Sequence, residues 1–250
     1  MAKVTTVLNQ KGGVGKSTIT VNLAAVFAET ARSDEKTVAV SIDPQGSATW
    51  WSDQVSRVFE ELSKTDPERA AARALPFDFI QAHDDLAGLM TMPTLPGVGH
   101  VVVDTPGWID MSGMDSMVDP LGSGDDAKAL RAVLDNTSEV LVPIEPEPLS
   151  FQPTWNTIEK VIKPRGLPFL VVINNWDPRD GRADLEDTEL FVTRQGWPLS
   201  RTVIRHYKIH TRASAEGLVV TQYPRNRVAM EAREDFYRLA LELGQRGGVR

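Results

Sequence analysis

The sequence predicts an α/β fold: a doubly wound, mainly parallel sheet flanked by helices. Three observations predict it. Short, β-branched and continuously apolar runs recur along the chain, as expected of strands covered on both faces. Helical stretches separate them, which is the connection that parallel strands need. A glycine-rich loop carrying two lysines stands between the first strand and the first helix.

The elements follow in order. Residues 4–8, 37–42, 100–103, 139–144 and 169–173 read as buried strands, with 77–81 and 202–204 as further candidates. Between them, residues 17–30, 47–73, 125–136, 153–162 and 184–193 read as helices, and 226–243 as a closing amphipathic helix. Stretches 93–99, 107–124 and 177–181 are rich in Gly, Pro, Asp and Ser, which marks loops. The 107–124 loop leaves the carboxyl end of a strand, where ligands bind in open α/β sheets. Its residues are therefore candidates for a mobile functional segment or an ordinary surface excursion.

At 250 residues and 41% hydrophobic composition, the chain is long enough for one substantial core, and no break resembles an interdomain linker, so a single domain over 1–250 is expected. Zero cysteines exclude disulfides, thiolate zinc sites and cysteine-ligated iron–sulfur clusters. No run approaches the roughly 18 apolar residues of a membrane span, and no apolar leader opens the chain, so a cytoplasmic protein is expected. The net charge of −7 is unevenly spread: residues 194–250 hold 11 Lys and Arg against 5 Asp and Glu, a net of +6, leaving 16 against 29, a net of −13, in residues 1–193. A basic C-terminal segment is thus joined to an acidic body. Taken alone, solvated helix faces account for such a segment more readily than a binding surface does.

The loop Lys11-Gly12-Gly13-Val14-Gly15-Lys16-Ser17-Thr18 carries the chemistry. Its glycines permit a tight turn that brings backbone N–H groups against phosphate oxygens, and the following helix N-terminus favours negative charge. Lys16 is placed to reach the β and γ phosphates of a nucleotide, and the Ser17 hydroxyl to ligate Mg²⁺. Asp43 and Asp104 each end an apolar strand. A carboxylate in that position beside a phosphate loop orients attacking water or holds a Mg²⁺-bound water.

Gln10 and Lys11 stand where the usual phosphate loop has a glycine followed by an unspecified residue, and the resulting K-G-G-x-G-K-S-T run resembles the deviant Walker A box of the ParA/MinD superfamily. That resemblance extends over nearly the whole chain: residues 43–49 are similar to the D-P-Q-G-x-A-T switch I segment, residues 100–104 to a Walker B strand, and 142–146 and 212–224 to further family segments. It implies a P-loop ATPase using ATP and Mg²⁺, with Lys11 crossing an ATP-dependent homodimer to the partner's phosphates. Lys16, Asp43 and Asp104 would serve hydrolysis, and Ser17, Asp43 and Asp104 the metal. Asn174 would meet adenine, although adjacent Asn175 leaves that register open. Two departures stand out. Ser41 occupies a position where many relatives carry a second aspartate, and Thr105-Pro106-Gly107 replaces the frequent Thr-Pro-Pro of switch II.

With only eight residues before Asn9, the chain resembles the short ParA class that lacks an N-terminal helix-turn-helix domain. The resemblance implies a partition ATPase whose ATP-bound dimer binds nonspecific DNA and is released by a centromere-binding, ParB-like partner, giving a nucleoid-associated protein. Arg201, Arg205, Lys208, Arg212, Arg225 and Arg227 are the candidates for phosphate contacts. An alternative is a positioning ATPase for a protein cargo. A MinD-like membrane positioner is disfavoured because residues 244–250 are polar and glycine-broken, and iron–sulfur relatives are excluded by the missing cysteines.

Overall fold

Parallel pairing runs through the whole sheet. The computed structural model describes residues 1–108 and 119–246; most of the expected 107–124 loop and residues 247–250 of the glycine-broken tail lie outside the described residues. Seven strands, β1 (Lys3–Val7), β2 (Lys36–Ser41), β3 (Asp78–Gln81), β4 (Val98–Asp104), β5 (Glu139–Ile144), β6 (Phe169–Trp176) and β7 (Leu199–Arg205), lie in the order β3-β2-β4-β1-β5-β6-β7. Every neighbouring pair is parallel. Chain order reverses direction across the sheet at β1, so the loop after β1 opens at a topological switch point.

The alternation of side chains across the pleat divides the core in two. Val7, Ala39, Val102, Leu141, Val172 and Ile204 face one side, against α1 (Lys16–Thr30), α2 (Ser47–Ser63), α8 (Lys208–Ala215) and α9 (Arg227–Arg246). Val40, Val103, Val142, Val171 and Ile173 face the other, against α4 (Leu86–Thr91), α5 (Asp125–Asp135), α6 (Phe151–Asn156) and α7 (Ala183–Arg194). Both faces are covered, which is why the strands read as continuous apolar runs. Phe236 of α9 is fully buried in the first cluster. Truncating it to Ala is expected to cost about 3–5 kcal/mol.

Several boundaries differ from the sequence expectation for identifiable reasons. The stretch 47–73 divides into α2 and α3 (Pro67–Ala71), because Pro67 disfavours a helical Asp66 and Asp66 instead caps the new helix, accepting from Arg69 N at 3.0 Å. The helix expected over 153–162 starts at Phe151 and widens to a π-helical segment over Thr157–Ile162. α4 and α8 go beyond the sequence expectation; at 6 and 8 residues, each is shorter than the window of roughly 11–18 residues in which helical periodicity can be read. Strand β6 runs past Ile173 to Trp176, and carries two asparagines to the cleft described next.

Candidate nucleotide site

The carboxyl ends of β1, β2, β4 and β6 converge on one open cleft. Its two adjoining parts, of about 590 and 430 Å³, share Gly13, Gly15, Ser17, Thr18, Gln45 and Ser47. The P-loop between β1 and α1 forms the floor. Gly13 and Gly15 take φ of 81° and 84°, a left-handed conformation that glycine adopts without penalty. Gly15 is doubly constrained, since a Cβ there would lie 2.3 Å from Asn174 Nδ2. No side chain among the described residues caps α1, so its first-turn N–H groups remain available to an anion in the loop.

The loop is held from beneath. Asn9 Nδ2 donates to Pro143 O at 2.7 Å and to Thr154 Oγ1 at 2.9 Å, and Gln10 N donates to Thr157 Oγ1 at 2.9 Å. The start of the π-helical segment thus supplies an anchor to the P-loop, a common use of such irregularities. On the opposite side, Gly107 rests against the loop: a Cβ at this position would lie 2.9 Å from Gln10 O and 3.2 Å from Gly12 N. This contact gives the departure from Thr-Pro-Pro a steric reason.

Lys16 is almost wholly buried, and its Nζ donates to Lys11 O at 2.8 Å. Burial lowers its pKa, against the opposing charges of Asp104 and Asp43. Asp104 is fully buried; its Oδ2 accepts from Ser17 Oγ at 2.9 Å and from Ser41 Oγ at 3.5 Å, while Oδ1 has no hydrogen-bond partner among the described residues. Burial pushes its pKa up to about 7. A desolvated carboxylate with a vacant oxygen beside a serine hydroxyl fits a divalent cation, whose charge would offset the burial. Among the described residues no cluster of three or more His, Cys, Asp or Glu could hold a metal. A Mg²⁺ held by Ser17 and Asp104 would therefore have to draw its remaining ligands from phosphate and water.

Asp43 stands at the opening of α2 and accepts from Gln45 N at 2.8 Å through Oδ1, which fixes its carboxylate at the cleft wall beside Lys16 and Ser17. Asn174, buried, donates from Nδ2 to Val14 O at 2.8 Å and lines the cleft; Asn175 lines it too, so both remain within reach of a base. Lys11 points away from its own loop. Its ammonium donates to Glu145 at 2.9 Å, to Glu147, and to Ser150 Oγ at 3.0 Å. Burial works to lower its pKa, but the two carboxylates outweigh it and the net direction is up.

The sequence reading missed Glu145, Glu147 and Ser150 as partners of Lys11, and His206, Tyr207 and His210 as cleft residues. The available signal was positional: both groups follow the carboxyl end of a strand in a parallel sheet.

The six expected DNA contacts do not form one class. Arg201, Lys208, Arg212, Arg225 and Arg227 are exposed, and Lys208 and Arg212, four apart on α8, share a helix face. Arg227 is 90% exposed despite an i,i+4 pair with Glu231. Arg205 stands apart. Its guanidinium pairs with buried Asp235 at 2.7 Å, donates to Glu231 O at 2.9 Å and lines the cleft, so its charge is used inside the molecule.

The CobQ/CobB/MinD/ParA nucleotide-binding domain profile matches residues 5–220. The chain belongs to this family. Across the ParA/MinD family, the maintenance of carboxysome distribution protein A of Gloeobacter kilaueensis is 34% identical over 241 residues, 96% of this chain and 94% of that protein. The MinC:MinD cell division protein complex of Aquifex aeolicus superposes with a TM-score of 0.68 at 14% identity, covering 98% of this chain and 96% of that one. An ATP complex of McdA from Cyanothece gives 0.63 at 14% identity, covering 96% of each chain. These two structural likenesses speak to the fold, which is the P-loop NTPase fold of the ParA/MinD family.

Proposed function

We propose that this ParA-type chain is a Mg²⁺-dependent ATPase that positions a protein cargo within the cell. The observation that carries the reading is the 34% identity, spread over 96% of the chain, to a protein named for maintaining carboxysome distribution. Partition of a plasmid or chromosome would use the same site and the same exposed arginines. What separates the two is the cargo, and the full-length likeness favours a protein assembly over a centromere. No helix among the described residues is long and apolar enough to cross a membrane.

In this reading the chain's residues divide the work by location. The backbone of Gly12 to Gly15 and the α1 N-terminus bind phosphate oxygens, Lys16 neutralises their charge, and Asn174 contacts the base. Ser17 and Asp104 hold Mg²⁺, which supplies charge neutralisation to the phosphates when bound. Asp43 orients the attacking water and accepts its proton's hydrogen bond. Lys11 reaches a second copy's nucleotide, so ATP closes a homodimer. The exposed basic residues of both copies then face one nonspecific DNA track, where paired weak contacts raise the effective concentration. A partner protein bound to the cargo would trigger hydrolysis and release.

The test replaces the gene by its Asp43→Ala form and follows a fluorescent microcompartment shell protein alongside replicon loss. Collapsed or polar shell foci with unchanged replicon retention are expected. Replicon loss with evenly spread foci would instead establish the partition reading.

A further inference from the structure

We infer that Asn175 is a positioning residue for Lys11, holding the signature lysine in a withdrawn state through Glu145. Strand β6 loses register with β7 between Asn174 and Trp176, and Asn175 takes φ 67°, the one positive φ outside glycine among the described residues. Such a bulge re-aims a side chain that the pleat would otherwise send to the opposite face of its neighbour. Here the re-aimed amide bridges two groups. Its Nδ2 donates to Glu145 Oε1 at 2.9 Å, so Oδ1 is the acceptor for His206 Nδ1 at 2.6 Å. The other oxygen of Glu145 accepts from Lys11 Nζ at 2.9 Å.

A hydrogen-bonded chain therefore runs from His206, on the cleft wall, through Asn175 and Glu145 to Lys11. At its far end, Glu147 and Ser150 take the remaining donors of the ammonium. An ammonium has three N–H donors, and all three are used within its own subunit. Lys11 cannot contact another copy's phosphate without giving up these acceptors, two of them carboxylates. Asn175 fixes the Glu145 carboxylate with Oε2 toward Lys11; when the amide turns to a group entering the cleft beside His206, Glu145 is freed and the lysine's hold is loosened. The nucleotide cleft and the dimerising lysine are thereby joined within one subunit.

This inference rests on the reading of Lys11 as the residue that crosses the dimer, and the experiment separates the two. ATP is titrated against full-length wild type, Asn175→Gly, Glu147→Gln and Lys11→Ala, and against each of the first two variants combined with Lys11→Ala. Association is read by light scattering, with KM and kcat for ATP read in parallel. Glycine keeps the positive φ and removes only the amide, and Glu147 is half-exposed, so both variants fold. Each should lower the ATP concentration at half-association by about two- to fivefold, the size of one partly exposed charge pair. Neither should do so when Lys11 is Ala. Unchanged or raised half-association in Asn175→Gly, or a shift that persists without Lys11, overturns the positioning role. If Lys11→Ala associates as wild type does, the crossing role of Lys11 fails and the inference fails with it.

Discussion

At the P-loop, placement is made by the backbone: glycines at φ 81° and 84° fold residues 11–16 into a cradle, and Lys16, Ser17 and Asp104 fall into it because the ends of β1 and β4 are hydrogen-bonded neighbours. In the C-terminal quarter, placement is made by pairing. Arg205, Asp235, Glu231 and Tyr207 form one network between β7 and α9, with Tyr207 Oη donating to Glu231 at 2.8 Å and the Arg205 guanidinium 5.4 Å from the Tyr207 ring centroid. A backbone-made site can be read from a short string of residues. A pair-made one cannot, because each charge's role depends on a partner some 30 residues away.

The largest effect should come from the backbone-made region. Lys16→Ala removes the charge that the cradle presents to phosphate, and is expected to lose measurable ATP binding and to lower turnover by roughly 10²- to 10³-fold. Asp43→Ala should keep nucleotide affinity and lose turnover alone, since the proposed role of its carboxylate is to orient the attacking water. Binding of a fluorescent ATP analogue, set beside phosphate release, checks both. Equal loss of affinity in the two variants would erase the division of roles.

Next in size is a pH effect in the pair-made region. His210 is buried, its Nδ1 lies 3.0 Å from Tyr223 Oη and its ring meets Phe236 edge-on, and burial lowers its pKa to about 4. The unfolded chain takes up this proton near 6.5, whereas the folded chain resists it until about 4. The native state's advantage is therefore full above 6.5 and is lost as pH falls through that window, by roughly 2–3 kcal/mol at pH 4.5. Asp104, raised to about 7, slopes the other way over the same range. The diagnostic quantity is thus the difference between wild type and His210→Phe in urea denaturation at pH 7 and 4.5. The variant should be the less acid-sensitive; parallel profiles would show that His210 titrates freely in the fold.

Breaking the Arg205 network should come third. Arg205→Leu leaves Asp235, whose side chain is 4% exposed, without its cation. The expected loss is about 2 kcal/mol, discounted for the partly exposed guanidinium. Arg201→Leu, on the same strand but exposed, should stay within about 0.5 kcal/mol. Thermal unfolding of the two variants side by side tests the contrast, and similar losses would deny that pairing distinguishes them.

The same contrast explains what was legible in the sequence. Strand 139–144 matches β5 end to end, and the Lys11 to Thr18 loop stands where expected, because apolar runs and glycine turns act locally. The split of 47–73 at Pro67 was also local, but a helix restart by Asp66 looks in sequence like continued helix. The sequence groups Arg205 with the surface arginines because nothing nearby in sequence shows Asp235 beneath it. The three acceptors around Lys11 were hidden for a similar reason: they lie more than 130 residues away and meet it only once β5 pairs with β1.

The smallest effect, per residue, belongs to the exposed basic groups. Lys208 and Arg212 project from one face of α8, and Arg225 and Arg227 flank the start of α9. If these residues meet DNA in the ATP-bound dimer, each contact with a duplex phosphate releases counterions, and each one lost lessens the slope of log affinity on log salt by about 0.9. The double variants Lys208→Ala with Arg212→Ala, and Arg225→Ala with Arg227→Ala, should each reduce the slope and weaken two unrelated duplexes alike. Arg227 contributes least, because its pair with Glu231 competes with phosphate for the guanidinium. Arg205 supplies the control: Arg205→Leu removes the charge that buried Asp235 holds within the fold, so it should lower stability while leaving the salt slope as in wild type. The measurement is fluorescence anisotropy across a salt series with ATP, on protein shown to dimerise. A slope that falls for Arg205→Leu and stays fixed for both surface pairs would reverse the assignment, placing the DNA face at the cleft and making α8 and the start of α9 an ordinary solvated surface.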